Sequence, residues 1–248
     1  GTLSRLTFAG ASYNPMPSPD GKSVVYAAVR DGTAGLFRTR LDGAEEERLS
    51  STKEAHIPTS FSPDGRLVAF TAGGRNGRSE IRTVALEGNA TPAPLLQAPY
   101  NVDARTFSPD GRSFAYVSDE SGRFEVSVRP YPGSGGRVQI STGGGTEPLW
   151  SPDGQELFFR NGDEFLAVEI GKGAVPEAGR PHVLFSRRNS SGGSGIRYGV
   201  IARYAVSPDG KRFLMTRSDA AREAGPVPRV VVNWFEDLKR RAAGSQMK

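Results

Sequence analysis

The chain has 248 residues, no cysteine and two histidines, which excludes a disulfide framework, a thiolate metal site, a cysteine nucleophile and any site built on three imidazoles. With 36% apolar residues, 31 Gly and 18 Pro, it can bury a sizeable core but is interrupted too often for long helices, which points to an all-β chain. The net charge of +5 is spread without an aromatic-flanked basic block, so it reads as solubility and not as a nucleic-acid surface.

No apolar run approaches the ~20 residues of a membrane span, so no direct membrane insertion is expected of this chain. The opening Gly-Thr-Leu-Ser lacks a basic-then-apolar leader, and the sequence reads as a soluble piece of something longer.

In chain order, a β run at residues 3–8 precedes the first of five copies of Ser-Pro-Asp-Gly, which begin at Ser18, Ser62, Ser108, Ser151 and Ser207. Their spacings are 44, 46, 43 and 56 residues. A repeat of ~40 to 50 residues has the length of one four-stranded propeller blade. Each copy has the chemistry of a hairpin turn: Pro presets φ, Asp bonds the backbone beyond it, and Gly takes the left-handed conformation. Second strands are then predicted at 23–28, 67–71, 113–117, 156–159 and 212–216, and third strands at 36–41, 80–86, 124–128, 165–170 and 229–235. Outer strands follow at 46–49, 94–97, 138–140 and 182–185.

The residue before each motif serine is Pro17, Phe61, Phe107, Trp150 or Val206, apolar every time, as packing between adjacent blades requires. The last unit lacks a fourth strand, and residues 3–8 resemble the outer-strand segment 46–50. The expected fold is therefore a single all-β domain, a five-bladed propeller of four-stranded blades. Its blades start near residues 11, 55, 101, 145 and 199, the N-terminal strand 3–8 completes the fifth, and residues 236–248 form a charged tail.

The five turns mark one face. The opposite face takes two long segments, 186–198 and 218–228, and insertions that choose one face suggest a working face. The segments entering the first strands supply candidate ligand-binding residues: Tyr13, Asn14, His56, Asp103, Arg105, Glu147, Arg203 and Tyr204, with Glu54, Asn101, Arg197 and Tyr198 beside them. The run Gly143, Gly144 and Gly145 reads as a flexible entry to the fourth blade.

Catalysis has thin support. His182 falls in an outer strand, leaving His56 as a lone base for a triad, and there is no Gly-x-Ser-x-Gly elbow. Asp103, Glu147 and Glu54 keep a two-carboxylate carbohydrate hydrolase as the alternative. No carboxylate recurs beside the motif Asp as a calcium loop demands, so neither metal nor cofactor is expected.

The five units, typified by Phe107-Ser-Pro-Asp-Gly-Arg-Ser-Phe-Ala-Tyr-Val-Ser-Asp119, resemble the TolB-like (WD-type) propeller repeat. A sharper likeness covers Val126-Ser-Val-Arg-Pro-Tyr-Pro132, Ile140-Ser-Thr-Gly-Gly-Gly-Thr-Glu-Pro-Leu-Trp150 and the ending Val230-Val-Val-Asn-Trp-Phe-Glu-Asp-Leu-Lys239. These segments look like the C-terminal propellers of bacterial membrane-anchored serine/threonine protein kinases. That resemblance implies an extracytoplasmic sensor or interaction module, with a small polar ligand, a peptide or an envelope protein as partner. It carries no ligand residues across.

Overall fold

In the computed structural model, the residues described are 6–7, 10–42, 46–51, 54–73, 77–88, 91–133, 135–171, 173, 176–186 and 204–215. Every regular element among them is a β-strand.

The first repeat folds as an antiparallel sheet of β1 (Ser12–Pro17), β2 (Ser23–Arg30), β3 (Thr33–Arg40) and β4 (Glu47–Arg48), paired in that order. The second repeats the plan with β5 (His56–Phe61), β6 (Leu67–Gly73), β7 (Ser79–Ala85) and β8 (Ala93–Leu96). The third does so with β9 (Val102–Phe107), β10 (Ser113–Ser118), β11 (Glu125–Pro130) and β12 (Val138–Gln139). The fourth contains β13 (Thr146–Trp150), β14 (Glu156–Asn161), β15 (Glu164–Gly171), β16 (Glu177–Ala178) and β17 (His182–Ser186). From the fifth, β18 (Tyr204–Val206) and β19 (Phe213–Met215) are paired.

The outer edge of the fourth sheet departs from expectation. It is split, with β16 pairing the end of β15 and β17 pairing its beginning. Pro181, which has no amide proton to give a ladder, sits in the break. The expected third strand at 229–235 lies outside the described residues, as do the long segment at 218–228 and most of residues 3–8; Leu6 and Thr7 are described and belong to no strand.

All five Ser-Pro-Asp-Gly segments form the same turn. The glycine amide donates to the serine carbonyl, from 2.8 to 2.9 Å, and the glycine φ lies between 67° and 70° in every copy. The motif aspartate accepts from the serine hydroxyl and from the amide two residues on, as Asp110 does from Ser108 at 2.6 Å and Arg112 at 3.0 Å. The serine hydroxyl also accepts the amide of the residue that opens the second strand, Ser113 to Ser108 at 2.9 Å. The motif serine is thus as much a part of the turn as Pro, Asp and Gly.

The second strands explain how the sheets stack. Along β2, Val25 and Ala27 join a core with Val68, Phe70 and Ala72 of β6, while Tyr26 and Ala28 pack on the other face. Ala69 of β6 faces the next sheet, with Phe114 and Tyr116 of β10; Ala115 and Val117 of β10 face Leu157 and Phe159 of β14. Side chains alternate across a strand, so a sheet buried on both faces needs an unbroken apolar run where a half-exposed one needs alternation.

The apolar position before the motif serine packs as expected at Phe61, Phe107, Trp150 and Val206. Pro17 differs, being exposed at the end of β1, the first described sheet.

Candidate functional site

First strands of successive sheets lie side by side, β1 against β5, β5 against β9 and β9 against β13, whereas the fourth strands form outer edges. The inner strands therefore gather residues from different repeats. Every first strand of the four large sheets also carries a register irregularity: between Tyr13 and Met16, Pro58 and Ser60, Ala104 and Thr106, and Thr146 and Leu149. Such a bulge adds a residue that the partner strand does not match and re-aims a side chain.

Asn14 and Glu147 occupy the same repeat position, four residues before the motif serine, and both have left-handed backbones, with φ of 54° and 55°. A non-glycine residue held there costs about 1 to 3 kcal/mol and persists where its surroundings fix it. The surroundings of Glu147 are visible: Arg160 of β14 reaches its carboxylate at 3.4 Å, and the Tyr204 hydroxyl of β18 donates to its carbonyl at 2.8 Å.

In β9 the unmatched residue is Arg105, whose guanidinium Nη2 donates to Asp103 Oδ2 at 2.6 Å. Asp103 Oδ1 accepts from the Thr71 hydroxyl of β6, also at 2.6 Å. The Asp103 side chain is 0% exposed and that of Arg105 is 5% exposed, so the pair is fully enclosed. Burial, and next the Glu147 charge, hold the Tyr204 hydroxyl well above the usual tyrosine range, against the pull of Arg160 and Arg105. Asp103, Arg105, Glu147 and Tyr204 were all expected at this face, and the structure buries them in two bonded sets, one joining the second and third repeats through Asp103 and one joining the fourth and fifth through Glu147.

One member of each set was missed by sequence reasoning, Thr71 beside Asp103 and Arg160 beside Glu147. Both sit on second strands and each interrupts an apolar run, Val68-Ala-Phe-Thr71 and Leu157-Phe-Phe-Arg160. A polar residue breaking a run that is otherwise buried on both faces was the available signal.

The remaining candidates lie apart. His56 is buried on β5, its Nδ1 2.8 Å from Ser50 Oγ and its ring 4.7 Å from that of Phe70. Burial, reinforced by the charge of Arg82, lowers its pKa to about 4, so it is neutral near pH 7. Ser50 Oγ also accepts the Leu36 amide at 2.9 Å, and Ser141 does the same for Val126 in the third sheet while donating to Glu125. The recurrence identifies Ser50 and His56 as a clip between strands. Tyr13 and Asn14 are half-buried in β1, while Arg203, Arg197 and Tyr198 lie outside the described residues together with the segment 187–203. Asn101 is spent on structure, bonding Asp119 through its side chain and accepting the Ser79 amide.

Gly144 and Gly145 are tightly held, unlike the flexible entry that the composition of the glycine run suggests. A Cβ on Gly145 would lie 2.4 Å from Ser141 Oγ, Gly144 has a φ of 108°, and its amide donates to the buried Glu125 carboxylate at 3.0 Å.

Two cavities accompany these features. One of about 530 Å³ lies between the first two turns, lined by Asp20, Lys22, Asp64 and Arg66 among others. The acidities of Asp20 and Asp64 are raised first by the motif serine hydroxyls, which ties these carboxylates to turn formation. The other, of about 250 Å³, opens at the start of β5, on the side away from the turns, and Thr71 forms part of its wall. Among the described residues, no group of three or more His, Asp or Glu is arranged to hold a metal ion.

A family model described as the TolB beta propeller domain matches residues 3–169. An uncharacterised protein of Agrobacterium fabrum is 30% identical over 154 residues, covering 57% of this chain and 52% of that protein, so the chain spans about half the length of this curated relative. Among solved structures, TolB from Acinetobacter baumannii superposes with a TM-score of 0.65 at 20% identity, over 86% of this chain and 50% of that one. An oligogalacturonate lyase in complex with manganese has the same fold, with a TM-score of 0.59 at 16% identity, over 91% of this chain and 77% of that one.

Proposed function

The chain belongs to the TolB β-propeller family, and from that premise we propose that it is a non-catalytic binding module of a larger bacterial envelope protein. It is extracytoplasmic, closes as five blades through its N-terminal strand, and recognises a polar ligand, peptide or protein on the face away from the turns. The observation that carries this reading is the pairing of Asp103. Both oxygens of its buried carboxylate are engaged, one by Thr71 of the preceding repeat and one by Arg105. A carboxylate so committed braces neighbouring repeats, whereas a glycosidase needs a pair of carboxyl groups flanking a shared substrate space. Tyr13 and Asn14 of β1, half-buried and outside the bonded sets of Asp103 and Glu147, are the recognition candidates among the described residues.

The likeness of segments 126–132, 140–150 and 230–239 to kinase-linked propellers supports a finer role as the sensor part of a transmembrane serine/threonine kinase. A kinase domain and one membrane helix ahead of this chain in the full-length protein are the check on that role.

The function itself is tested by calorimetry with defined glycans, peptides and envelope-protein fragments, run beside a hydrolysis assay. Saturable binding without turnover, weakened by Tyr13→Ala or Asn14→Ala, is the expected result. Cleavage abolished by Asp103→Asn or Glu147→Gln would overturn it in favour of the hydrolase.

A further inference from the structure

The cavity of about 530 Å³ between the first two turns falls within the ~300 to 1,000 Å³ that hold small ligands. Lys22, Arg38, Arg40 and Arg66 bring cations to its wall, against the carboxylates of Asp20, Asp64 and Glu87, so the lining is close to balanced and does not select a simple anion.

The next pair of turns shows what such a groove accepts. Leu86, which borders the cavity, and Tyr131 hold the same repeat position. The amide of each donates to the carbonyl of the residue after the motif glycine, Leu86 to Arg66 at 2.9 Å and Tyr131 to Arg112 at 2.7 Å. The Tyr131 ring packs edge-on against Phe107, with 4.9 Å between centroids. It also reaches towards the second turn, where the Asp64 charge, after burial, pushes its hydroxyl up. Asp64 stands to Tyr131 as Asp20 stands to Leu86, one repeat earlier. Phe107, under the tyrosine, is 4% exposed, whereas its counterpart Phe61 is half-buried. The ring that the second and third turns receive from their own chain has no counterpart between the first and second, where leucine borders open space.

The arginines keep a surface for such a ring. Arg38 is paired with Glu47 and Arg40 with Asp42, contacts made by nitrogens at the edge of the guanidinium plane, whereas stacking uses the face of that plane. Arg30 does both in this chain, with a nitrogen 2.8 Å from Glu46 and its central carbon 5.1 Å from the Phe37 ring centroid. We propose that the cavity is a docking slot for one tyrosine side chain of a partner polypeptide, its ring against the arginine planes and its hydroxyl donating to Asp20. Asp20 accepts the Ser18 hydroxyl and the Lys22 amide at Oδ1, so Oδ2 is the oxygen that the phenol would meet. The slot lies on the turn face, apart from Tyr13 and Asn14, and stands or falls independently of recognition there.

The test titrates the protein with acetyl-Gly-Tyr-Gly-amide while following the backbone amide resonances of Lys22, Ser23, Gly65 and Arg66. Peptides with leucine or phenylalanine in place of tyrosine serve as comparators, and inorganic phosphate as a competitor. Saturable shifts at those four amides are expected with tyrosine, at least about threefold weaker with leucine, which cannot stack on a cation, and intermediate with phenylalanine. Leu86→Tyr, which supplies the ring from within as Tyr131 does, should abolish the shifts at an unchanged melting temperature, and Arg66→Gln should weaken them. Equal binding of leucine or phenylalanine, indifference to Arg66→Gln, retained binding in a folded Leu86→Tyr protein, displacement by phosphate, or no saturable shift at these amides would each overturn the slot.

Discussion

Gly111 of the third turn lies directly on Pro63 of the second: a Cβ added at Gly111 would stand 3.6 Å from both Cγ and Cδ of that proline ring. The relationship recurs down the chain, Gly65 on Pro19 at 3.9 Å, Gly154 on Pro109 at 3.3 Å and Gly210 on Pro152 at 3.6 Å. Each turn is thereby stacked on its predecessor, and the motif glycine serves both the local reversal and the contact between repeats.

Gly111→Val is expected to destabilise by about 1 to 3 kcal/mol, because a β-branched side chain would enter a backbone with φ of 70° as well as press on Pro63. For a chain of this length that corresponds to a fall in melting temperature of roughly 2 to 4 °C per kcal/mol, read by calorimetry. An unchanged melting temperature would contradict the account of the turn.

The Asp103–Arg105 pair predicts a strongly non-additive cycle. Removing one partner leaves an uncompensated buried charge, which costs about 3 to 5 kcal/mol, so both Asp103→Asn and Arg105→Met should be severe. The double variant should be much less destabilised than the two losses added together. Denaturant unfolding of all four proteins provides the measurement, and additive losses would show that the pair is not coupled.

Tyr204→Phe should cost about 1 to 3 kcal/mol by leaving the Glu147 carbonyl, on a left-handed residue, without its hydroxyl donor. The same tyrosine sets a limit at high pH. Its folded pKa is raised above the unfolded value near 10, so the folded state keeps a proton that the unfolded chain releases, and stability falls as pH rises past about 10. Titration followed by tyrosinate absorbance should find Tyr204 ionising with unfolding, and Tyr204→Phe should remove that part of the loss.

His56 governs the acid side. Its folded pKa of about 4 lies below its unfolded value of 6.5, so between those limits the unfolded chain binds the extra proton. The stability contributed by neutral His56 is fully present above pH 6.5 and is lost as pH falls towards 4. In His56→Gln the dependence of unfolding free energy on pH should flatten across that window. An identical slope in the two proteins would mean that His56 is not held neutral.

Strand order, turn position and the apolar contact ahead of four of the five motif serines were legible because one tetrapeptide repeats and its four residues each have a defined job in the turn. The bulges were not, since β1, β5, β9 and β13 have little in common at the positions that carry them: Asn14 and Pro15, Thr59, Arg105, and Glu147 and Pro148. The split edge at β16 and β17 escaped for a similar reason, since two residues of pairing leave no periodicity to read. Of the candidate site, the placement of Asp103, Arg105, Glu147 and Tyr204 on inner strands was legible from their entry position; their bonding was not, because charge alone does not reveal that an aspartate and an arginine two residues apart will meet each other across a bulge.

The two-faced burial of the second strands means that neighbours in sequence answer to different parts of the molecule. Ala115 belongs with Leu157 and Phe159, more than forty residues downstream, whereas Tyr116 belongs with Ala69 and Ile81, more than thirty residues upstream. Mutational history should follow the same partition. A change of volume at Tyr116 is compensated by changes in the repeat before it, a change at Ala115 by changes in the repeat after it, and the two adjacent positions drift almost independently of one another.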